Sequence, residues 1–216
     1  MYFILAYTLL HRYSFNDGTA SDSVGASAYA GSLMAGATVS NNQANFTTSD
    51  QYVKLPSGLF GSYTAVSVEA WVTTGVNGAW ARIFQFGASS SVNANSIFVC
   101  RDFANSFDLF WASSAGFLSK FKNFSPFDSQ TNVHVVMTVS SGGYARLYIN
   151  RVLVVKTPAV LNSIPPAVVF YVSKSFGGTP GLVGSVIEFR IWGGALSATD
   201  IATRYSQGPG ESLTCF

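Results

Sequence analysis

Carboxylates are the first candidates for chemistry, because glycoside hydrolysis requires two carboxyl groups that flank the scissile bond. The 216-residue sequence contains ten Asp and Glu residues. Asp102 and Asp108 form the closest pair around the middle of the chain, and nothing near them marks a dyad. No serine, histidine and aspartate pattern or zinc-ligand spacing accompanies the two histidines, His11 and His134, which we interpret as structural. We therefore expect a protein that is not an enzyme.

Tryptophan rings offer a second kind of chemistry, since they stack on the C–H face of a sugar while polar neighbours bind its hydroxyls. Trp80 lies close to a predicted loop, and Trp111 follows Asp108 and precedes two serines. These three residues are our candidate ligand-binding residues. Core packing is the alternative for both tryptophans, and we interpret Trp71 and Trp192 as structural.

A phenylalanine-rich segment is a candidate contact surface for another protein. Its four phenylalanines are hard to bury all at once, and an exposed apolar patch rimmed by lysine marks a protein contact. The alternative is that a core strand and a loop bury some of them. The four residues are Phe117, Phe121, Phe124 and Phe127.

The composition indicates a folded protein with an unusually uncharged surface. Apolar residues make up 48% of the chain and charged residues 10%, against a usual value of about 25%. The surface is then either polar but uncharged, as in many secreted proteins, or covered by neighbours or glycans. The net charge of +2 and the absence of a Lys/Arg run argue against nucleic acid as a partner. No stretch of the sequence reaches about 18 uninterrupted apolar residues, so we expect no membrane span.

Cysteines and glycosylation sequons favour a secretory route. Cys100 and Cys215 allow one disulfide, with two free thiols as the alternative. Asn45 and Asn123 each begin a sequon, and Pro126 follows the second one. We expect a secreted or cell-surface glycoprotein.

The hydrophobic pattern predicts an all-β fold. Alternation gives Val68-Ala70-Val72 and Ile187-Phe189-Ile191 one apolar face each, as in sheets that cover a core. Ser197 and Asp200 form a capping-box pattern and predict one short helix near 197–206. We expect a single domain over residues 1–216, with about a dozen strands in two packed sheets. A first strand runs into 11–15, and further strands are predicted at 67–73, 81–86, 96–100, 107–111, 132–139, 145–150, 152–156, 168–172 and 183–192.

Several segments resemble one known family in the same order along nearly the whole chain. The ends carry HRYSFNDG at 11–18 and GSVIEFRIW at 184–192, and four further segments lie between them: YVKLP at 52–56, VSVEAWV at 66–72, HVVMT at 134–138 and LYIN at 147–150. Together they resemble the laminin G-like branch of the concanavalin A-like lectin/glucanase superfamily. The resemblance implies an antiparallel jelly-roll sandwich with the first and last strands side by side. One departure is the turn Asn150-Arg151, where the family has Asn-Gly.

The resemblance also bears on catalysis and on calcium. Retaining glucanases of the superfamily carry Glu-x-Asp-x-x-Glu or Glu-x-Asp-x-Glu on one strand, and this chain has neither string. Many relatives hold a calcium ion at a sandwich edge, which makes Asp17, Asp22 and Glu188 candidate ligands. The alternatives are a turn at Asp17, a loop closed by Asp22 through backbone hydrogen bonds, and an ion pair of Glu188 with Arg12 or Arg190.

The favoured function is a non-catalytic recognition module that binds a glycan or an extracellular protein. The alternative is a structural subunit that self-assembles with fibre or coat partners and buries its lateral surfaces. An unusual glycoside hydrolase is the third and weakest hypothesis.

Overall fold

The computed structural model describes residues 7–87, 96–113, 116–118, 126–140, 143–158 and 169–210, with the backbone alone for 110–113 and 116–118. These residues form fifteen strands, one 3-10 turn at Ser27–Tyr29 and one α-helix, α1 at Ala198–Gln207. The strands are β1 Thr8–Tyr13, β2 Ser32–Met34, β3 Thr38–Ser40, β4 Gln43–Phe46, β5 Tyr52–Leu55, β6 Val66–Thr74, β7 Arg82–Gly87, β8 Ser96–Arg101, β9 Phe107–Ser113, β10 Gly116–Leu118, β11 Val133–Ser140, β12 Tyr144–Ile149, β13 Val152–Pro158, β14 Val169–Val172 and β15 Gly184–Gly193.

The strands make two antiparallel sheets that pack face to face. The eight-stranded sheet has the order β13-β12-β11-β6-β15-β4-β3, with β1 also paired to β15. The seven-stranded sheet has the order β10-β9-β8-β7-β14-β5-β2. The predicted sandwich, and the pairing of its first and last strands, are therefore confirmed.

One apolar core lies between the sheets, since alternate residues of each strand point inward. Phe189 of β15 is fully buried at its centre, with its ring centroid 5.9 Å from Phe84 and 6.4 Å from Phe86 of β7. Tyr13 of β1 adds a ring 6.3 Å from Phe189. Contacts of this kind join both sheets, and the first and last strands, in one core.

The helix α1 covers part of the outer face of the eight-stranded sheet. Ser197 and Asp200 form both hydrogen bonds of the capping box, as the sequence predicted. Ile201 of α1 packs with Trp192 of β15 and Val136 of β11. No helix in the described part of the chain is long and apolar enough to cross a membrane.

A buried charge cluster lies on this outer face. Glu69 accepts hydrogen bonds from Arg190 at 3.3 Å and from the Trp192 indole at 3.0 Å, and His134 Nε2 lies 2.9 Å from the same carboxylate. Burial raises the pKa of Glu69, but the contacts with His134 and Arg190 outweigh it and hold the pKa below its usual value. The carboxylate therefore stays charged inside the protein.

The hairpin between β12 and β13 keeps its geometry without the family's glycine. Asn150 and Arg151 both take positive φ angles, 47° and 66°, as two-residue hairpin turns require. The Arg151 guanidinium lies 5.3 Å from the centre of the Tyr205 ring in α1. This contact gives the arginine a role that glycine could not fill.

Candidate functional site

An open cleft of about 340 Å³ lies where β14 ends, beside the outer face of the seven-stranded sheet. Two segments form it: residues 49–50 between β4 and β5, and residues 174–180 between β14 and β15. We call it the Tyr171 cleft. Its described lining residues are Ser49, Asp50, Tyr171, Lys174, Ser175, Phe176, Gly178, Thr179 and Pro180.

The loop from 173 to 181 is fixed at both ends. Ser173 takes a positive φ of 64°, and its hydroxyl lies 3.0 Å from the carbonyl oxygens of Gln51 and Leu182. The N–H of Gly181 donates to the Ser49 carbonyl at 2.7 Å. A Cβ at Gly181 would lie 2.0 Å from the Ser173 carbonyl oxygen, so only glycine fits there. The loop is thus held against the segment that carries Asp50.

Below the loop, the side chain of Gln85 anchors its middle. Gln85 Oε1 accepts the backbone N–H of Phe176 at 3.2 Å and the Nε–H of Arg82 at 3.2 Å. Gln85 Nε2 donates to Ser96 Oγ at 3.1 Å. Because Gln85 is fully buried, these bonds are shielded from water and hold the loop to the sheet.

Three aromatic rings line up beside the cleft. The ring centroid of Tyr171 lies 5.0 Å from that of Tyr52 on β5 and 5.5 Å from that of Phe176, both in edge-to-face geometry. Phe176 is buried, whereas Tyr171 and Tyr52 are half-buried. Partial burial, with Tyr52 beside it, raises the pKa of Tyr171, so its hydroxyl remains a neutral hydrogen-bonding group.

Charged and hydroxyl groups surround the rings. The ammonium of Lys174 lies 4.6 Å from the centre of the Tyr52 ring. The hydroxyl of Thr48, with a smaller contribution from Lys174, holds the pKa of exposed Asp50 below its usual value. Ser175 Oγ accepts bonds from the Gly177 N–H at 3.0 Å and the Thr179 hydroxyl at 2.6 Å, which leaves its own O–H to donate. A half-exposed ring with such donors and acceptors can stack on a sugar and bind its hydroxyls.

The sequence-predicted ligand residues lie elsewhere. Trp80 is half-buried at the turn before β7, where its ring packs against Phe98 and Cys100. Asp108 is fully buried and its Oδ1 accepts the Leu109 N–H at 2.9 Å, so it exposes no surface to a sugar, contrary to our expectation.

Trp111 lies in β9 opposite Ile97 of β8, and its side chain is outside the described residues. Among the described side chains, neither Trp80 nor Asp108 lines the Tyr171 cleft. The residues that line this cleft were missed. Their one signal in the sequence is the pair of tyrosines, Tyr52 and Tyr171, at positions that alternate with core residues on β5 and β14.

The three candidate calcium ligands all have partners within the protein. Glu188 binds Arg12 at 2.5 Å and Arg190 at 2.9 Å, which is the ion pairing foreseen as its alternative. Asp22 accepts the backbone N–H groups of Arg12, Val24 and Gly25, and its second oxygen lies 2.5 Å from His11 Nδ1.

Asp17 closes its own turn by bonding Thr19 and Ser21. The residues that the structure describes contain no group of three His, Cys, Asp or Glu side chains that could hold a metal. As placed, these carboxylates do not fit a calcium ion, which takes six to eight oxygen ligands.

The remaining sequence-based sites are described only in part. Cys100 is buried and forms no disulfide within the described residues, and Cys215, its expected partner, lies outside them. Asn45 is half-buried in β4 and donates to the carbonyls of Ser40 and Gln43. Asn123 lies outside the described residues.

One of the four phenylalanines expected in an exposed patch is buried instead. Phe127 is fully buried, with its ring centroid 4.8 Å from that of Phe107, so it belongs to the core instead of an exposed surface. Phe121 and Phe124, and the side chain of Phe117, lie outside the described residues.

A family model for the laminin G-like group, described as the concanavalin A-like lectin/glucanase superfamily, matches residues 47–202. The chain belongs to this superfamily. The match includes most of both sheets and the whole Tyr171 cleft, and the resemblance noted in the sequence is confirmed. The comparison of this chain with curated protein sequences found no match.

Solved structures of the same fold come from diverse proteins. Domain 4 of AbnA, an extracellular arabinanase from Geobacillus stearothermophilus solved with arabinotriose, is 19% identical with a TM-score of 0.71. The alignment covers 92% of this chain and 98% of that domain. Trypanosoma rangeli sialidase is 15% identical with a TM-score of 0.72, over 92% of this chain and 33% of the sialidase. The binding domain of botulinum neurotoxin serotype G is 16% identical with a TM-score of 0.63, over 93% and 51%. At these identities the likeness concerns the fold.

Proposed function

We propose that this chain is a non-catalytic carbohydrate-binding module whose ligand lies in the Tyr171 cleft. The observation that carries the proposal is the half-exposed Tyr171 ring at the end of β14, in a cleft that Asp50 and Lys174 also line, beside a loop that Gln85 and Gly181 hold in place. Affinity benefits from such preorganisation, because the loop loses little freedom on binding. A superfamily known for lectins, and a similar domain solved with arabinotriose, support the same ligand class.

The carboxylates support binding over hydrolysis. Asp50 is the only carboxylate among the described residues that line the cleft. Glycosidases act with a pair of carboxyl groups about 5–10 Å apart. Glu69 and Glu188, the two described glutamates, are fully buried in ion pairs on the opposite sheet. Incubation with the panel below should therefore release no shorter products.

The test is a binding panel of linear arabino-, xylo-, cello- and manno-oligosaccharides of two to six units, measured by calorimetry. We expect Tyr171→Ala to weaken binding of the strongest member at least tenfold, or about 1.4 kcal/mol, because the stacking ring is lost. Tyr171→Phe keeps the ring and should stay within about threefold of the wild type.

Tyr144→Ala is the matched control, since Tyr144 is also a partly exposed tyrosine beside a lysine, but on the other sheet. Failure of every oligosaccharide to bind, or equal losses for Tyr171→Ala and Tyr144→Ala, would overturn the proposal.

A structural subunit remains the second candidate, and one surface favours it. Val152 and Leu153 begin the edge strand β13 and are 60% and 46% exposed. Exposed apolar side chains on an unpaired edge promote association between sheets. Light scattering distinguishes the two proposals: a recognition module stays monomeric, whereas a subunit forms ordered assemblies that Val152→Lys disrupts.

Secretion is a further part of the proposal. The low charged fraction and the two sequons support it. Expression in a eukaryotic secretory system, followed by mass spectrometry of the peptides that contain Asn45 and Asn123, tests it. Absence of the protein from the medium would contradict it.

A further inference from the structure

A second aromatic site lies on the neighbouring loops. Trp80 and Phe103 meet edge to face, with ring centroids 5.2 Å apart. Phe103 is 69% exposed, an unusual position for a large apolar ring, and Trp80 is half-buried beside it. In the part of the chain that the structure describes, the side of this pair that faces solvent is accessible.

This aromatic pair is connected directly to the Tyr171 cleft through Pro180. The N–H of Arg82 donates to the Pro180 carbonyl at 3.1 Å. A Cβ placed on Gly78 would lie 3.5 Å from Pro180 Cγ, and Gly78 belongs to the same turn as Trp80. One wall of the cleft therefore rests against the turn that presents Trp80.

The two sites share the outer face of one sheet. Tyr171 pairs with Gln85, and Gln85 pairs with Phe98, against which Trp80 packs. Two strand spacings, from β14 across β7 to β8, separate Tyr171 from Phe98, or about 10 Å at the usual spacing of strands. The aromatic pair thus lies beyond the reach of a single sugar ring seated on Tyr171.

An ion pair and backbone hydrogen bonds tie together the loops that carry the pair. Arg101 forms a two-pronged ion pair with Asp128, with Nε and Nη2 at 3.1 and 3.0 Å from Oδ2. The backbone N–H of Asn77 donates to Asp128 Oδ1 at 3.1 Å, and the N–H of Trp80 donates to the Arg101 carbonyl at 2.8 Å. Exposed apolar groups on a rigid base are suited to binding, because little freedom is lost.

We infer that Trp80 and Phe103 form a second subsite for the same ligand, which makes the preferred ligand an extended oligosaccharide chain instead of a terminal sugar. This inference rests on the proposed function of the Tyr171 cleft. The chain would run from Tyr171 past Pro180 to the aromatic pair, with one sugar ring on each aromatic site.

The experiment measures affinity against ligand length for the wild type, Phe103→Ala and Tyr144→Ala, with the oligosaccharide series of two to six units described above. For the wild type we expect affinity to rise at least fivefold between the shortest and longest members. Phe103→Ala should abolish this rise and leave the affinity for the disaccharide within twofold. Trp80→Phe, which keeps a ring on the Phe98 side, should reduce the rise only in part, whereas Tyr144→Ala should preserve it.

The outcomes separate the two proposals. Binding that depends on Tyr171 but not on ligand length overturns the second subsite and leaves the cleft intact. The same conclusion follows if Phe103→Ala retains the full length dependence. If no member of the series binds the wild type, both the proposed function and the second subsite are overturned.

Discussion

Gln85 Oε1 accepts the backbone N–H of Phe176 at 3.2 Å, and this bond joins the loop beside the Tyr171 cleft to the middle of the seven-stranded sheet. Gln85→Leu removes the acceptor and leaves a buried N–H without a partner, at a cost of about 1–3 kcal/mol. We expect a lower free energy of unfolding in urea and weaker binding of the strongest oligosaccharide of the panel. Gln43→Leu, on half-buried β4 of the other sheet, is the control and should leave binding unchanged. Unaltered affinity in Gln85→Leu would show that the loop needs no anchor.

The Glu69 cluster predicts sensitivity to acid. The pKa of Glu69 is lower in the folded protein than its usual value, so the unfolded state binds more protons at low pH. The stabilisation by this group is complete above about pH 5 and is lost as pH falls through its folded pKa. Urea unfolding at pH 7, 5, 4 and 3 should show this loss. Glu69→Gln should unfold about 3–5 kcal/mol more easily at pH 7, because it leaves Arg190 and His134 without their carboxylate.

A matched substitution isolates this effect. Asp50 also has a lowered pKa, but it is fully exposed, so Asp50→Asn should change stability little at any pH. An acid profile of Glu69→Gln that matches the wild-type profile would contradict the assignment.

The thiol of Cys100 should be inert in the folded protein. Burial raises its pKa to about 12, although Arg82 nearby opposes the shift, so almost no thiolate forms at pH 8. Iodoacetamide at pH 8, followed by peptide mapping, should leave Cys100 unmodified until the protein is unfolded in guanidinium. A peptide in which Cys100 is bonded to Cys215 would contradict this prediction and support the disulfide expected from the sequence.

Phe189 at the centre of the core should be costly to truncate. Phe189→Ala removes the ring that contacts Phe84 and Phe86 across the sandwich, and buried Phe→Ala changes cost about 3–5 kcal/mol. Phe103→Ala is the matched control, because Phe103 is exposed and losing its edge-to-face contact with Trp80 should cost only about 0.5–1.5 kcal/mol. Urea midpoints of the two variants should differ clearly, and equal midpoints would place Phe189 outside the cooperative core.

The strands were predictable where residues of the apolar face alternate with residues of the other face over several positions. The predicted strands at 67–73 and 183–192 lie within β6 and β15 to within a residue at each end. The register was not predictable in detail, because a bulge between Val186 and Glu188 shifts the alternation. Ile187, expected on the core face, is only half-buried, whereas Val186 joins the core. Strands of three or four residues such as β3 carry too short a pattern to be recognised.

The candidate site was less predictable than the fold, because long-range bonds create it. Asp50 and Lys174 are far apart in sequence and meet only because Gly181 binds Ser49 and because β14 pairs with β5. No local pattern encodes such contacts. Tyr52 and Tyr171 alternate with core residues on β5 and β14, but each strand has only four residues, which is too short a pattern to mark either ring as outward-facing.

The most direct test of the account is a crystal structure of the chain with the strongest oligosaccharide of the panel. We predict electron density for a sugar ring stacked on Tyr171, with its hydroxyls bonded to Asp50 or Lys174, and for the chain to continue past Pro180 toward Phe103. A ligand bound on the eight-stranded sheet, or at an edge away from Tyr171, would contradict the proposed function.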